Sequence, residues 1–166
     1  MASEPVDPET VREAHRRFPT GVTVVTAMLD GTPRGLSVNA FASVSLEPPT
    51  VLVSVSRASR SYRALVRAEV IGINLLSETQ EAVARTFAGK AEDKFSDVAW
   101  SCGPCGAPLL AGASAQFEVA TENLALASTH VVIIGRVVSC AHFEQPPLLY
   151  IGGAFHPAPV TELSHR

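Results

Sequence analysis

The chain has 166 residues and a mass of 17.5 kDa, with 46% of its residues hydrophobic and 17% charged. That is material for one core, which excludes intrinsic disorder over most of the chain and argues against separate cofactor and substrate lobes. Thirteen Lys and Arg against sixteen Asp and Glu leave a net charge of -3, too acidic overall for a nucleic-acid binder held by phosphate contacts.

The opening residues, Met1 to Thr10, contain no apolar block, and apolar runs such as 131–134 fall far short of the roughly 20 residues that span a bilayer. The expectation is a cytoplasmic protein that does not engage a membrane, with one domain over 1–166, a core at about 11–156 and loose ends. Three cysteines fit reduced thiols better than a disulfide framework.

In chain order, 11–17 reads as a short helix closed by Phe18-Pro19, and 21–28, rich in Val and Thr, as a strand. Leu29-Asp30-Gly31-Thr32 supplies an Asp-Gly hairpin turn. The returning strand is expected over 35–46. Leu36, Val38, Ala40, Ala42, Val44 and Leu46 then point one way, toward a core, while Ser37, Asn39, Phe41, Ser43 and Ser45 point the other. This second row is small and uncharged, which fits either a solvated sheet face or a face covered by something flat and polar.

After Pro48-Pro49, 50–55 reads as a strand, Ser59 as the N-cap of a helix through Ala68, and 70–76 as another strand. Ser77-Glu78-Thr79-Gln80 has the form of a capping box that opens a helix to about Phe87. Segments 113–125, 129–139 and 148–151 are β-rich. Residues 131–138 are apolar on both faces apart from Arg136, which places them in the middle of a sheet. Six or seven hairpin-connected strands with two or three short helices predict a mainly β, mostly antiparallel barrel. No strand leads into Gly-x-Gly-x-x-Gly, so a doubly wound nucleotide fold is not expected.

Four features could carry chemistry. Cys102-Gly103-Pro104-Cys105 has the spacing of a redox dithiol, but Gly106-Ala107-Pro108 cannot begin the helix that such a site needs. Cys140 and His142 could complete a zinc tetrad with that pair, although four ligands from distant segments are a weak signal and ordinary thiols the plainer reading; no metal is expected. Arg60, Arg63 and Arg67 form a helical stripe that is either a solvated face or, with the hydroxyls of 56–61, a phosphate cradle. His130, set in apolar sequence, is either a structural imidazole or a ligand-facing one. With no nucleophile elbow, carboxylate pair or P-loop, a cofactor would have to supply the reactive centre.

The run from Phe18-Pro19-Thr20-Gly21 through Val25-Thr26, and then Gly35-Leu36-Ser37-Val38-Asn39-Ala40-Phe41-Ala42-Ser43-Val44-Ser45-Leu46-Glu47-Pro48-Pro49, resembles the short-chain flavin reductases of two-component monooxygenase systems. Residues 56–61, Phe87-Ala88-Gly89, Asp93-Lys94-Phe95, Ala107-Pro108-Leu109-Leu110 and Pro147-Leu148-Leu149-Tyr150 match in the same order. The resemblance implies an antiparallel Greek-key split β-barrel, a homodimer, and hydride transfer from NADH or NADPH to FAD or FMN, with reduced flavin supplied to a separate oxygenase. It implies that Ser37, Val38, Asn39, Ser43, Val44 and Ser45 border the flavin ring. Ser59 and Arg60 would hold its phosphate, Phe87, Ala88 and Tyr150 would lie beside it, and His130 would serve catalysis at the nicotinamide.

The alternatives are a flavoprotein of this fold that acts on an organic substrate and a non-catalytic flavin carrier. Two positions depart from the family. Ser128-Thr129 replace the Gly-Asp that many relatives carry before the histidine, and Ile151-Gly152 follow Tyr150 where relatives often have His-Arg, which removes a natural partner for NAD(P) phosphates.

Overall fold

The computed structural model describes residues 5–159. Its elements begin with α1 (Pro8–His15), β1 (Thr20–Gly21), β2 (Thr23–Leu29), β3 (Thr32–Val38), β4 (Phe41–Leu46) and β5 (Pro49–Ser56). Then come α2 (Tyr62–Arg67), β6 (Val70–Leu75), a 3-10 turn (Glu78–Gln80) and α3 (Glu81–Ala88). The chain continues with β7 (Trp100–Cys102), β8 (Pro108–Leu110), β9 (Ala115–Ala127), β10 (His130–His142), β11 (Leu148–Ile151) and β12 (Ala154–Pro157). The fold is mainly β, with 50% strand and 16% helix, as the sequence predicted.

Seven strands form one antiparallel sheet in the order β3-β2-β6-β9-β10-β5-β4. Its two edge strands, β3 and β4, are joined through Asn39-Ala40 alone, so the edges meet at that corner and the sheet curls into a split barrel. The β2–β3 hairpin turns on Asp30 and Gly31, both at positive φ (50° and 76°), the backbone that an Asp-Gly pair accepts at least cost. β10 lies inside the sheet between β9 and β5, where its apolar residues placed it.

The barrel interior packs Val25, Val53, Val55, Leu65, Ile71, Ile73 and Ile133, all at most 1% exposed. A second core, under α3 and the small β1-β11-β12 sheet, joins Val22, Val24, Leu76, Phe87, Phe95, Leu110 and Leu148. Phe95 sets its edge on Phe87 at 4.9 Å and meets Trp100 at 5.6 Å. Among the described residues no helix is long and apolar enough to cross a membrane.

Two expectations change. The single strand over 35–46 is two strands, and the alternation does not carry across the corner. Phe41 turns inward, 6.0 Å from Phe117 in the barrel core, whereas Ala42 is exposed, Val44 is 54% exposed and Leu46 83%. A register shift between Ser43 and Ser45 leaves Val44 out of the ladder with β5. The second change concerns Ser59, which does not cap a helix. α2 starts at Tyr62 after Ser61, while Ser59 Oγ accepts the Ser61 N–H at 3.1 Å. The capping-box pairing does form, with Gln80 Oε1 accepting the Ser77 N–H at 3.1 Å.

Candidate functional site

A groove of about 840 Å3 opens at the corner between β3 and β4. Phe18, Phe41, Leu75 and Tyr150 give it apolar walls, Asn39 contributes a polar group, and Arg12, His15 and Arg16 of α1 form one rim. Just past α1, the Arg16 carbonyl accepts the Gly152 N–H at 2.8 Å, tying the helix to the β11–β12 turn. At the helix start Asp7 accepts the Thr10 N–H at 3.1 Å and the Thr10 hydroxyl, bonds that hold its carboxyl below the usual range. Arg12 and Arg16 pair with Glu9 and Glu13 one turn earlier on the same helix.

Thr20 is among the lining residues, but its Oγ1 is itself buried, without a hydrogen-bond partner and closed off from the groove. The volume, the aromatic walls and the Asn39 amide fit a flat, partly polar heterocycle such as a flavin ring.

Of the residues expected at the ring, Asn39 and Tyr150 face this groove. Others serve packing. Ser37 Oγ donates to the Ala84 carbonyl at 2.7 Å, joining β3 to α3, Val38 is 7% exposed, and Phe87 is fully buried in the second core. Ala88 is exposed at the end of α3. Ser43, Val44 and Ser45 lie farther along β4, outside the groove's lining, and Ser45 Oγ accepts the Glu47 N–H at 3.1 Å.

The loop between β5 and α2 presents no helix-end cradle, because Ser61, at the helix start, turns its hydroxyl to the Gly35 carbonyl at 2.7 Å. Its arginines reach in different directions. Arg57 donates to the Ser128 carbonyl at 3.2 Å, tying the loop to the β9–β10 turn, and Arg60 donates to the Lys90 carbonyl at 2.8 Å. Arg60 and Arg63 also line a second pocket of about 410 Å3, together with Arg34 of β3 and Lys94. Lys94 donates to the Phe87 carbonyl at 2.8 Å, and burial first, then the nearby Arg60, push its amine below the ordinary lysine value. Spacing could not reveal this cluster, since its cations come from β3, the α2 region and the segment after α3. The Arg60 and Arg63 stripe and the Asp93-Lys94-Phe95 match are the two pointers that the sequence offers.

His130 is exposed at the start of β10, opposite Ser56 of β5, with its Nδ1 2.9 Å from Thr129 Oγ1. Cys102, Cys105 and Cys140 are free and exposed, and among the described residues no three His, Cys, Asp or Glu side chains cluster as metal ligands. The Cys102–Cys105 segment is instead anchored by Glu118, fully buried on β9. Its carboxylate accepts the Cys105 N–H at 2.9 Å and the Ala107 N–H at 3.0 Å. Gly103 permits this approach, since a Cβ there would lie 2.6 Å from Glu118 Cδ.

A split barrel with an aromatic groove at its corner and a cationic pocket farther along the same edge strand defines a protein that binds a nucleotide-type cofactor. Residues 15–159 match the family model described as "Flavin reductase like domain", and the chain belongs to that family. It is 43% identical over 159 residues to a Rhizobium meliloti (strain 1021) protein named "Probable flavin reductase", covering 95% of this chain and 51% of that one. The chain thus spans about half the length of that relative. It is 36% identical over 156 residues to the flavin-dependent monooxygenase reductase subunit HsaB of Rhodococcus jostii (strain RHA1), covering 93% of this chain and 80% of that one. The Streptomyces globisporus NADH:FAD oxidoreductase SgcE6, solved with NAD and FAD fragments, superposes with a TM-score of 0.87. That match has 37% identity over 96% of this chain and all of that one.

Proposed function

We propose that this protein is an NAD(P)H-dependent flavin reductase that works as a homodimer and hands reduced flavin to a separate oxygenase. The observation that carries the reading is the corner groove, whose aromatic walls and Asn39 amide suit a flavin ring. Bound flavin supplies a two-electron acceptor that takes hydride from the nicotinamide. The residues of this chain orient the partners. Tyr150 and Phe41, both in the groove's lining, would pack against the ring, Asn39 would offer hydrogen bonds to its polar edge, and Arg60 would neutralise phosphate. His130, whose Nδ1 lies 2.9 Å from Thr129 Oγ1, would hold the nicotinamide amide.

Membership of the flavin reductase family and the monooxygenase subunit among the relatives support the oxygenase as recipient. The homodimer is supported by bare apolar side chains on β4 and on the β9–β10 hairpin, Val44, Leu46, Leu124 and Leu126.

Anaerobic mixing with NADH or NADPH and excess free FAD or FMN tests the activity. Loss of the yellow flavin absorbance with many turnovers per protein is expected. Flavin that stays oxidised under excess of both nucleotides overturns the reductase, and a single turnover on tightly held flavin favours a flavoprotein with an organic substrate.

A further inference from the structure

Tyr150, one wall of the groove, owes its place to more than its own strand. In the small sheet it stands opposite Thr20 of β1 and Phe155 of β12. Among the described residues β12 is an edge strand of four residues that pairs with β11 alone. So short a ladder holds an edge weakly, and side-chain contacts have to fix Phe155.

The Phe155 ring meets two partners. The Tyr150 ring lies 5.1 Å from it at an interplanar angle of 59°, and the Arg85 guanidinium of α3 stands over it, 5.0 Å from its centroid. Arg85 is itself clamped, since its Nε and Nη2 both donate to Glu81 Oε1 one turn earlier, at 2.9 Å and 2.7 Å. Both side chains of this pair are exposed, and an exposed ion pair within one helix adds little stability by itself. Its effect is to hold a long, flexible side chain in one place against an aromatic face.

The residue before Arg85 reaches the other wall. The Ala84 carbonyl accepts the Ser37 hydroxyl at 2.7 Å, and Ser37 lies on β3 two residues before Asn39, which lines the groove. Buried Ala84 and Phe87 seat α3 in the second core. Two successive residues of one seated helix therefore engage both sides of the groove. Ala84 grips the strand that leads to Asn39, and Arg85 grips the ring beside Tyr150.

We propose, building on the flavin reading above, that Arg85 is a positioning residue. Held by Glu81, it fixes Phe155 and through it the Tyr150 ring, so that α3 sets the width of the flavin groove. Arg85 does not line the groove, so its effect on flavin passes through Phe155 and Tyr150.

The flavin-free protein gives the first readout. The chain has two tyrosines, and Tyr62, packed against the barrel core, serves as the internal reference. In NMR spectra with ring-labelled tyrosine, Arg85→Gln is expected to shift or broaden the Tyr150 signal and to leave that of Tyr62 in place, with Tm unchanged. Fluorescence titration should show the Kd for FAD and for FMN raised alike, by about fivefold, because the ring is common to both. Arg85→Lys keeps a cation over Phe155 and should restore the Tyr150 signal and most of the affinity. A Tyr150 signal that stays in place in Arg85→Gln, or one that moves without any change in flavin affinity, overturns the proposal and leaves the flavin reading standing. Disturbance of Tyr62 together with Tyr150, or no recovery in Arg85→Lys, overturns it as well, because Arg85 then serves packing in general. An unaltered protein that binds neither FAD nor FMN removes the flavin reading itself, and the role of Arg85 with it.

Discussion

His130 illustrates how a neighbouring side chain sets what an imidazole can do. It stands exposed at the first position of β10, and the Thr129 hydroxyl 2.9 Å from Nδ1 restricts the ring, leaving Nε2 free for a ligand. A hydroxyl stands where many relatives carry a carboxylate, so the ring is oriented without a fixed negative charge beside it. The Arg57 guanidinium holds the same turn through the Ser128 carbonyl, at 3.2 Å. His130→Ala is therefore expected to slow hydride transfer about tenfold, worth about 1.4 kcal/mol, while flavin affinity moves less than about twofold. Stopped-flow reduction under anaerobic conditions reads the first and fluorescence titration the second. An unchanged reduction rate removes the role.

At the scale of elements, the β7–β8 hairpin shows how a suggestive motif can be structural. Cys102-Gly103-Pro104-Cys105 has dithiol spacing, but its backbone is organised by the buried Glu118 carboxylate beneath it. Partial desolvation, then the Glu118 charge and its hydrogen bond, push the Cys105 thiol above its ordinary value, the opposite of an activated nucleophile. The folded state therefore keeps this proton after the unfolded chain would release it. The stabilisation is complete below the ordinary thiol pKa and is lost as pH rises through the folded value.

Glu118→Gln should lower the pH at which Cys105 is alkylated, read by peptide mass mapping. It should also cost about 2 kcal/mol from the charged hydrogen bonds, seen as a fall in Tm of roughly 4–8 °C. Alkylation at an unchanged pH would sink this account. The sequence could not announce Glu118, because its partners are backbone N–H groups from another segment. Val and Thr content revealed β2, a run apolar on both faces revealed β10 and an Asp-Gly pair revealed the hairpin, whereas 35–46 rested on period-two alternation. It misread 35–46 because alternation cannot show a corner, and the Asn39-Ala40 corner sends Phe41 inward and Val44 outward. The tie between Ser37 and α3 is hidden for a related reason, since a serine bonded to a helix carbonyl and one facing a cofactor read alike in sequence.

For the whole molecule, the distribution of cover decides what remains open. α2 packs on β2 and β3, and α3 on β3, so the helices shield one end of the sheet. At the other end Leu46 is 83% exposed, Val44 54%, Leu126 72% and Leu124 41%, and every residue from Glu122 to His130 is exposed, so the β9–β10 hairpin projects from the barrel. Bare leucines on a projecting arm and on an edge strand suit a second copy of the chain, since one two-fold contact covers both partners at once. Sedimentation of the unaltered protein should then give twice the 17.5 kDa chain mass. The double variant Leu46→Glu, Leu126→Glu places charges where a dry contact must form and should sediment as a single chain with its melting otherwise cooperative. A dimer that survives both charges locates the contact elsewhere, and an unaltered protein that sediments as one chain at micromolar concentration ends the homodimer reading.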